Sequence, residues 1–118
     1  MNYYELVLPT APSINHYYGS KGNRRYIKDA GVAFRAEVAR LVKQSGMPTL
    51  EGRLCVVIRA YFPDRRKRDV DNVAKAALDA LQHAGAYLND CQIDDLQIKR
   101  DKIVPGGRLE VMIGQISA

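Results

Sequence analysis

The sequence has few of the residues that build the commonest metal and redox sites. Its cysteines are Cys55 and Cys91, far apart, and its histidines are His16 and His83. Neither cysteine has the CxxC spacing or the neighbouring histidines that a zinc site requires. This scarcity excludes a zinc module, and we expect both thiols to be reduced.

The sequence also lacks a long hydrophobic segment. No apolar run approaches the roughly 20 residues that a membrane-spanning helix needs, which excludes membrane insertion. Residues 1–9 contain no basic stretch followed by an apolar run, so we expect no signal peptide and a cytoplasmic location. There is no repeat, linker or low-complexity tract, and we expect one domain over residues 1–118.

The composition is that of a compact globular protein with a basic surplus. Hydrophobic residues make up 47% and charged residues 26% of the chain. There are 18 Lys and Arg against 13 Asp and Glu, a formal charge of +5. A polyanionic partner such as nucleic acid fits this charge, although many small basic proteins have no such partner.

Two runs rich in β-branched and aromatic residues predict strands. They are Tyr3–Leu8 and Leu54–Phe62, and a proline follows each of them. The second run is apolar on both alternating faces except at Arg59, which predicts a buried central strand.

Two helices are predicted from apolar residues that recur at helical spacing. The first spans residues 30 to about 44, and the second spans residues 70–84. On the first helix, Arg35, Arg40 and Lys43 are expected on the solvated side.

The last third of the sequence predicts two further strands, residues 96–104 and 109–116. The turn-forming Pro105-Gly106-Gly107 between them predicts a hairpin. The predicted order is β-α-β-α-β-β, an α/β (α+β) fold with a small mixed sheet of about four strands and two main helices.

Residues 9–25 are predicted to form a long loop, because they mix turn formers, aromatic residues and cations. Such a loop is a candidate contact surface. Two roles remain open for Tyr17 and Tyr18: stacking on unpaired bases, or packing against the sheet.

A pair of acidic residues begins the second helix. Asp69 and Asp71 stand where an extended segment passes into the helix, and residues two apart in an extended segment project the same way. With Asn72 they offer the oxygen ligands that hard ions such as Mg²⁺ take. Helix capping is the alternative, and taken alone it is the more frequent role of such residues.

Cations on both sides of the pair favour a catalytic role. The basic run Arg65-Arg66-Lys67-Arg68 lies immediately before it and could bring a phosphate backbone towards the carboxylates. Lys75 lies one turn after Asp71, where it could stabilise the charge on a reacting phosphate. The alternatives are a solvated loop for the basic run and a helical ion pair with Asp71 or Asp79 for Lys75.

A third acidic residue, Asp90, follows the second helix. From Asp71 to Gly85 that helix carries the chain about 21 Å away from the acidic pair. Five extended residues from Gly85 to Asp90 recover only about 17 Å. Either the segment after the helix runs nearly straight back along it, or Asp90 joins the aspartates of a second subunit.

These motifs together resemble the RusA-type Holliday junction resolvases. The resemblance rests on the D-x-D-N string from Asp69 to Asn72, on Lys75, and on the segment from Gly85 through Asp90-Cys91-Gln92-Ile93. It extends over nearly the whole chain through Leu8-Pro9, Pro12-Ser13-Ile14-Asn15 and Gly106-Gly107-Arg108-Leu109-Glu110. One departure is Asn89, where many members have a second acidic residue.

The resemblance implies a metal-dependent DNA endonuclease. Members are small homodimers, often encoded by phages or prophages, that nick two opposed strands of a four-way DNA junction with Mg²⁺ or Mn²⁺. It implies that Asp69, Asp71 and Asp90 bind the metal and that Lys75 is the fourth active-site residue. It also implies a mixed α/β fold, which fits the predicted order of elements.

The candidate DNA contacts are the cations near these motifs. They are Arg65, Arg66, Lys67 and Arg68 of the basic run and Arg24 and Arg25 of the long loop. Two rival functions use these cations without catalysis. One is a nucleic-acid-binding module whose aspartates are only caps and ion pairs, which metal-dependent cleavage would exclude. The other is a structural or accessory phage protein that docks on an acidic partner and shows no preference for branched DNA.

Overall fold

The computed structural model describes residues 2–116, apart from the side chains of Ile14 and Asn15. Within it the strands are β1 (Tyr3–Leu8), β2 (Tyr18–Lys21), β3 (Arg24–Ile27), β4 (Leu54–Tyr61), β5 (Ile93–Arg100) and β6 (Arg108–Gln115). The helices are α1 (Ile14–Tyr17), α2 (Asp29–Ser45) and α3 (Val70–His83), with a 3₁₀ turn at Asp90–Gln92. The predicted α+β class, with two main helices and a mixed four-stranded sheet, is confirmed.

The main sheet has the strand order β1-β6-β4-β5. β4 pairs in parallel with β5 and antiparallel with β6, and β6 pairs antiparallel with β1. β4 is therefore an interior strand, as its apolar sequence predicted. The predicted hairpin at Pro105-Gly106-Gly107 is wrong, because β4 lies between β5 and β6.

The segment between β5 and β6 crosses the carboxyl end of β4. The Val104 amide donates to the Phe62 carbonyl at 3.0 Å. Gly107 has a φ of +66°, and a Cβ at this position would lie 2.1 Å from Thr10 Oγ1. Gly107 is therefore needed for the close passage over the strand end and not for a hairpin turn.

The predicted long loop over residues 9–25 is wrong, because this part of the chain contains regular structure. After α1, β2 and β3 form an antiparallel hairpin that runs from the pair Tyr18↔Ile27 to the pair Lys21↔Arg24. Most side chains of these two strands are exposed, so the hairpin lacks the alternation of apolar and polar residues by which strands are recognised.

α2 and α3 pack against the sheet and enclose the hydrophobic core. α2 buries Phe34, Val38 and Val42 at helical spacing. The buried face of α3 is mostly small: Val73, Ala74, Ala76, Ala77, Ala80 and Leu81. This packing fixes α3, which carries the predicted site, against the sheet. Over residues 2–116, no helix has both the length and the apolar character needed to cross a membrane.

Candidate active site

The acidic pair lies at the amino end of α3. Asp69 is the N-cap residue, with extended backbone (φ −89°, ψ 127°), and Asp71 lies in the first turn. The prediction that both residues lie in one extended segment is therefore wrong, because only Asp69 is extended. Asp69 makes no side-chain capping hydrogen bond, so the capping alternative is not observed for it.

The charges of the predicted site have no charged partner in the described part of the chain. Asp69, Asp71, Lys75 and Asp90 are all exposed, and none of them takes part in an ion pair there. The alternative in which Lys75 pairs along the helix with Asp71 or Asp79 is therefore not observed. These groups remain available to a ligand.

One face of α3 carries Asp71, Lys75 and the attachment point of Asp90. At 100° per residue, Asp71, Lys75 and Gln82 fall within about 40° of one another around the helix axis. Gln82 Oε1 accepts a hydrogen bond from the Asp90 amide at 2.9 Å. Because Gln82 lies about 17 Å along the axis from Asp71, Asp90 is attached at the opposite end of this face.

The three predicted metal ligands are not gathered within one chain. Among the residues that the structure describes, no group of three His, Cys, Asp or Glu side chains is close enough to hold a metal ion. The segment after α3 thus does not return Asp90 to Asp69 and Asp71 in the single chain.

Two side-chain caps build the turn that presents Asp90. Asn89 Oδ1 accepts from the Cys91 amide at 2.9 Å, and Gln92 Oε1 accepts from the Asn89 amide at 3.0 Å. Gln92 also donates to the Leu50 carbonyl at 3.1 Å. Asn89, the departure from the family pattern, therefore has a structural role here. The Asn-x-x-Gln spacing is a capping-box signal that identifies this turn from sequence.

The basic run contains both engaged and free cations. Arg68 donates to Asp64 Oδ1 at 2.6 Å, and Arg66 Nε lies 3.9 Å from Asp64 Oδ2. The hydrogen bond from Arg68, together with one from the Arg66 amide, lowers the pKa of Asp64 to about 2. Arg65 and Lys67 are exposed and form no ion pair with the described residues. They are the members of the run that are free to contact DNA.

A depression of about 300 Å³ borders Asp69; its lining comprises Ala11, Ser13, Lys67, Arg68, Asp69, Asn72 and Val73. Arg100, the last residue of β5, donates from its side chain to the Arg68 carbonyl, which brings its guanidinium beside Asp69. Ser13 and Arg100 were not predicted as site residues from the sequence. Neither is adjacent to the acidic motif in sequence, so no local signal points to them.

Arg24 and Arg25 lie on the β2–β3 hairpin. Both are exposed, and the Arg25 guanidinium lies 4.0 Å from the centroid of the Tyr18 ring. Tyr17 is fully buried, with its ring centroid 6.3 Å from that of Phe34. Tyr17 is therefore a core residue that packs against α2 and not, as the packing alternative had it, against the sheet, and its ring is not exposed for stacking on DNA bases.

A hydrogen-bonded cluster joins Tyr17 and α2 to α3. The Asp79 carboxylate accepts from Arg35 Nη2 at 2.6 Å, from Arg35 Nε at 3.0 Å and from the Tyr17 hydroxyl. Burial raises the pKa of Asp79, but the hydrogen bonds from Tyr17 and Arg35 outweigh it, and the pKa lies below its ordinary value. The predicted solvated position of Arg35 is wrong, because its side chain is only 22% exposed.

Comparison with known proteins places this chain in a family. Residues 8–114 match the family model described as Endodeoxyribonuclease RusA. The chain is 40% identical to the crossover junction endodeoxyribonuclease rusA of Enterobacteria phage HK97, over 100% of this chain and 99% of the relative. It is 39% identical to the RusA protein of Escherichia coli strain K12 and 40% identical to that of Enterobacteria phage 82, over 98% of each chain. The chain therefore belongs to the RusA endodeoxyribonuclease family.

Proposed function

We propose that the chain is a Holliday junction resolvase, an endodeoxyribonuclease that nicks two opposed strands of a four-way DNA junction. The observation that carries the proposal is the group of free charges at the amino end of α3: Asp69, Asp71 and Lys75. They occur in a family whose members are named crossover junction endodeoxyribonucleases.

Mg²⁺, with Mn²⁺ as a substitute, is the proposed cofactor. The exposed carboxylates of Asp69 and Asp71 suit an ion that takes one or two carboxylates and keeps water and substrate phosphate as its other ligands. When bound, such an ion polarises the scissile phosphate and lowers the pKa of water. The Asn72 amide shares the depression beside Asp69 and offers a further oxygen.

The cations have two proposed tasks. Lys75, one turn from Asp71, stabilises the negative charge that develops on the leaving oxygen, and the products carry a 5′-phosphate and a 3′-hydroxyl. Arg65 and Lys67 draw the phosphate backbone towards carboxylates that would otherwise repel it. Arg24 and Arg25 provide a second contact on the β2–β3 hairpin.

Asp90 is assigned to the site of a partner subunit in a homodimer. β5 is an edge strand that begins just after Asp90 and ends at Arg100, whose side chain reaches the backbone next to Asp69. If two β5 edges pair antiparallel about a twofold axis, the start of one strand lies beside the end of the other. This pairing brings each Asp90 towards the acidic pair of the partner subunit, which the single chain does not achieve.

A twofold dimer suits the proposed substrate, because two equivalent sites can act on two opposed strands. We further propose that residues 1–118 form one domain and that the protein acts on DNA in the cytoplasm.

The test is incubation of the purified chain with a synthetic four-way junction, with and without Mg²⁺ or Mn²⁺, followed by a denaturing gel. We expect paired nicks on opposed strands only with metal. A linear duplex of the same sequence is the matched control and stays intact. Junction binding without any cleavage in either metal would favour the non-catalytic binding module. Equal cleavage of the linear duplex would contradict junction selectivity.

A further inference from the structure

We propose that Arg35 is a positioning residue that holds Asp79 and thereby keeps Lys75 free to act on DNA. The inference rests on the proposed function, in which Lys75 contacts the reacting phosphate. It concerns residues that lie outside the acidic motif.

Lys75 has two acidic neighbours at helical spacing, Asp71 four residues before it and Asp79 four residues after it. Oppositely charged residues at this spacing normally attract each other on a helix surface. In the described chain, Lys75 forms an ion pair with neither of them. For Asp79 the structure shows the reason.

Asp79 is held by stronger partners on other elements. Arg35 of α2 donates to Asp79 Oδ2 from Nη2 at 2.6 Å and from Nε at 3.0 Å, and the Tyr17 hydroxyl donates to the same oxygen. Arg35 Nε also lies 2.9 Å from the Tyr17 hydroxyl oxygen. The rigid, delocalised guanidinium suits this arrangement better than the single ammonium of Lys75.

The pair is also shielded from solvent. The side chains of Arg35 and Asp79 are 22% and 28% exposed, against 59% and 41% for the ion pair of Arg40 and Glu37 on α2. A shielded pair is screened less by water and salt than an exposed one. Without Arg35, a half-buried carboxylate would lack its cation, and Lys75, one turn away on the same helix, is a neighbour able to supply one.

Arg35 and Lys75 thus compete for Asp79, and this competition affects the rate of nicking. In the wild type the hydrogen bonds from Tyr17 and Arg35 hold the pKa of Asp79 below its ordinary value, and without Arg35 the hydrogen bond from Tyr17 still favours the charged carboxylate. An exposed helical ion pair between Lys75 and Asp79 would engage about half of the lysine and leave about half of it free. A comparable loss in the rate of nicking is expected when Arg35 is removed.

The experiment is a double-mutant cycle on the full-length chain. Single-turnover nicking rates at saturating protein and metal-free junction affinity are measured for Arg35→Gln, Asp79→Asn and the double variant. We expect Arg35→Gln to slow nicking about twofold with little change in affinity. Asp79→Asn alone leaves the rate near that of the wild type, and added to Arg35→Gln it restores that rate. Arg40→Gln, on the same helix, is the matched control and leaves the rate unchanged.

The milder Arg35→Lys variant keeps the positive charge but loses the two-pronged guanidinium. It replaces Arg35→Gln in the cycle if Arg35→Gln does not fold. It is expected to slow nicking less than Arg35→Gln does, again with recovery on adding Asp79→Asn. A wild-type nicking rate in the Arg35 variants would overturn the role of Arg35 but not the proposed function. So would an equal effect of Asp79→Asn in both backgrounds, because that result indicates only long-range electrostatics. A wild-type chain that does not nick junctions overturns the proposed function, and the role of Arg35 with it.

Discussion

The amino end of α3 and its middle differ in how they hold their acidic residues. Asp79, in the middle, accepts hydrogen bonds from Arg35 and Tyr17 on two other elements. Asp69 and Asp71, at the amino end, form no ion pair with the described residues. The engaged carboxylate ties helices together, whereas the free pair can accept a ligand. The difference separates structural acids from candidate catalytic ones along a single helix.

The sharpest test of this contrast exchanges one carboxylate for an amide in each region. Asp71→Asn should reduce nicking at least about a hundredfold, because it weakens the proposed metal site, while junction binding is retained. Asp79→Asn should keep cleavage but lower the free energy of unfolding by about 1 to 2 kcal/mol, because Arg35 loses its partner. Nicking assays and chemical denaturation measure the two effects. Undiminished nicking by Asp71→Asn would contradict the site.

A second test asks whether the free aspartates act across two subunits. Asp71→Asn and Asp90→Asn chains are each expected to be inactive. Mixed after partial unfolding and refolding, they should form heterodimers with one intact site, restoring about one quarter of the wild-type nicking. The product is a junction nicked on one strand. Absence of recovery in a mixture shown to contain heterodimers would place Asp90 in its own subunit.

The basic run, residues 65–68, also contains both free and engaged charged residues. Replacement of Arg65 and Lys67 by alanine should weaken junction binding and lower the salt slope of log K by about two, because two phosphate contacts are lost. Arg68→Ala is the comparison, since Arg68 is engaged by Asp64. It should change the salt slope less and destabilise the fold slightly. Binding titrations over a range of salt concentrations measure the slopes, and equal slopes for the two variants would remove the distinction.

The smallest expected effect is a dependence of stability on acid. The pKa of Asp64 is about 2 in the folded chain, below its ordinary value of 3.8. The charged Asp64 carboxylate therefore stabilises the fold fully at pH values above 3.8, and this stabilisation is lost as the pH falls through about 2. Asp64→Asn should unfold slightly more easily than the wild type at neutral pH and match it near pH 2. Thermal unfolding over pH 2 to about 6 checks this; a gap that widens on acidification would contradict the assignment.

The elements with strong periodicity were predictable from sequence. β1, β4, α2 and α3 lie within a few residues of their predicted bounds because each buries a regular apolar face. The partner of β5 was not predictable from local signals, because Pro105-Gly106-Gly107 reads as a turn whether or not its flanking strands pair. β5 pairs with β4 and not with β6, because β4 is the apolar strand whose two edges must both be covered.

The residues of the acidic motif were predictable, but their partners were not. Asp69, Asp71, Lys75 and Asp90 form a recognisable sequence pattern. Their roles as metal ligands and as a catalytic lysine remain predictions. Helical spacing suggested Asp79 as a partner of Lys75, whereas the structure pairs it with Arg35. That pairing depends on how α2 packs on α3, which spacing along one helix does not contain.

The position of β1 beside β6 has a consequence for the timing of synthesis. Tyr3 pairs with Gly114 and Leu8 with Leu109, so β1 has as its neighbour in the main sheet a strand about 100 residues further along the sequence. Pairings between segments this far apart in sequence form late, and their closure slows folding. During translation β1 therefore stays without this neighbour until β6 has been made, and up to that point the sheet on the nascent chain is incomplete.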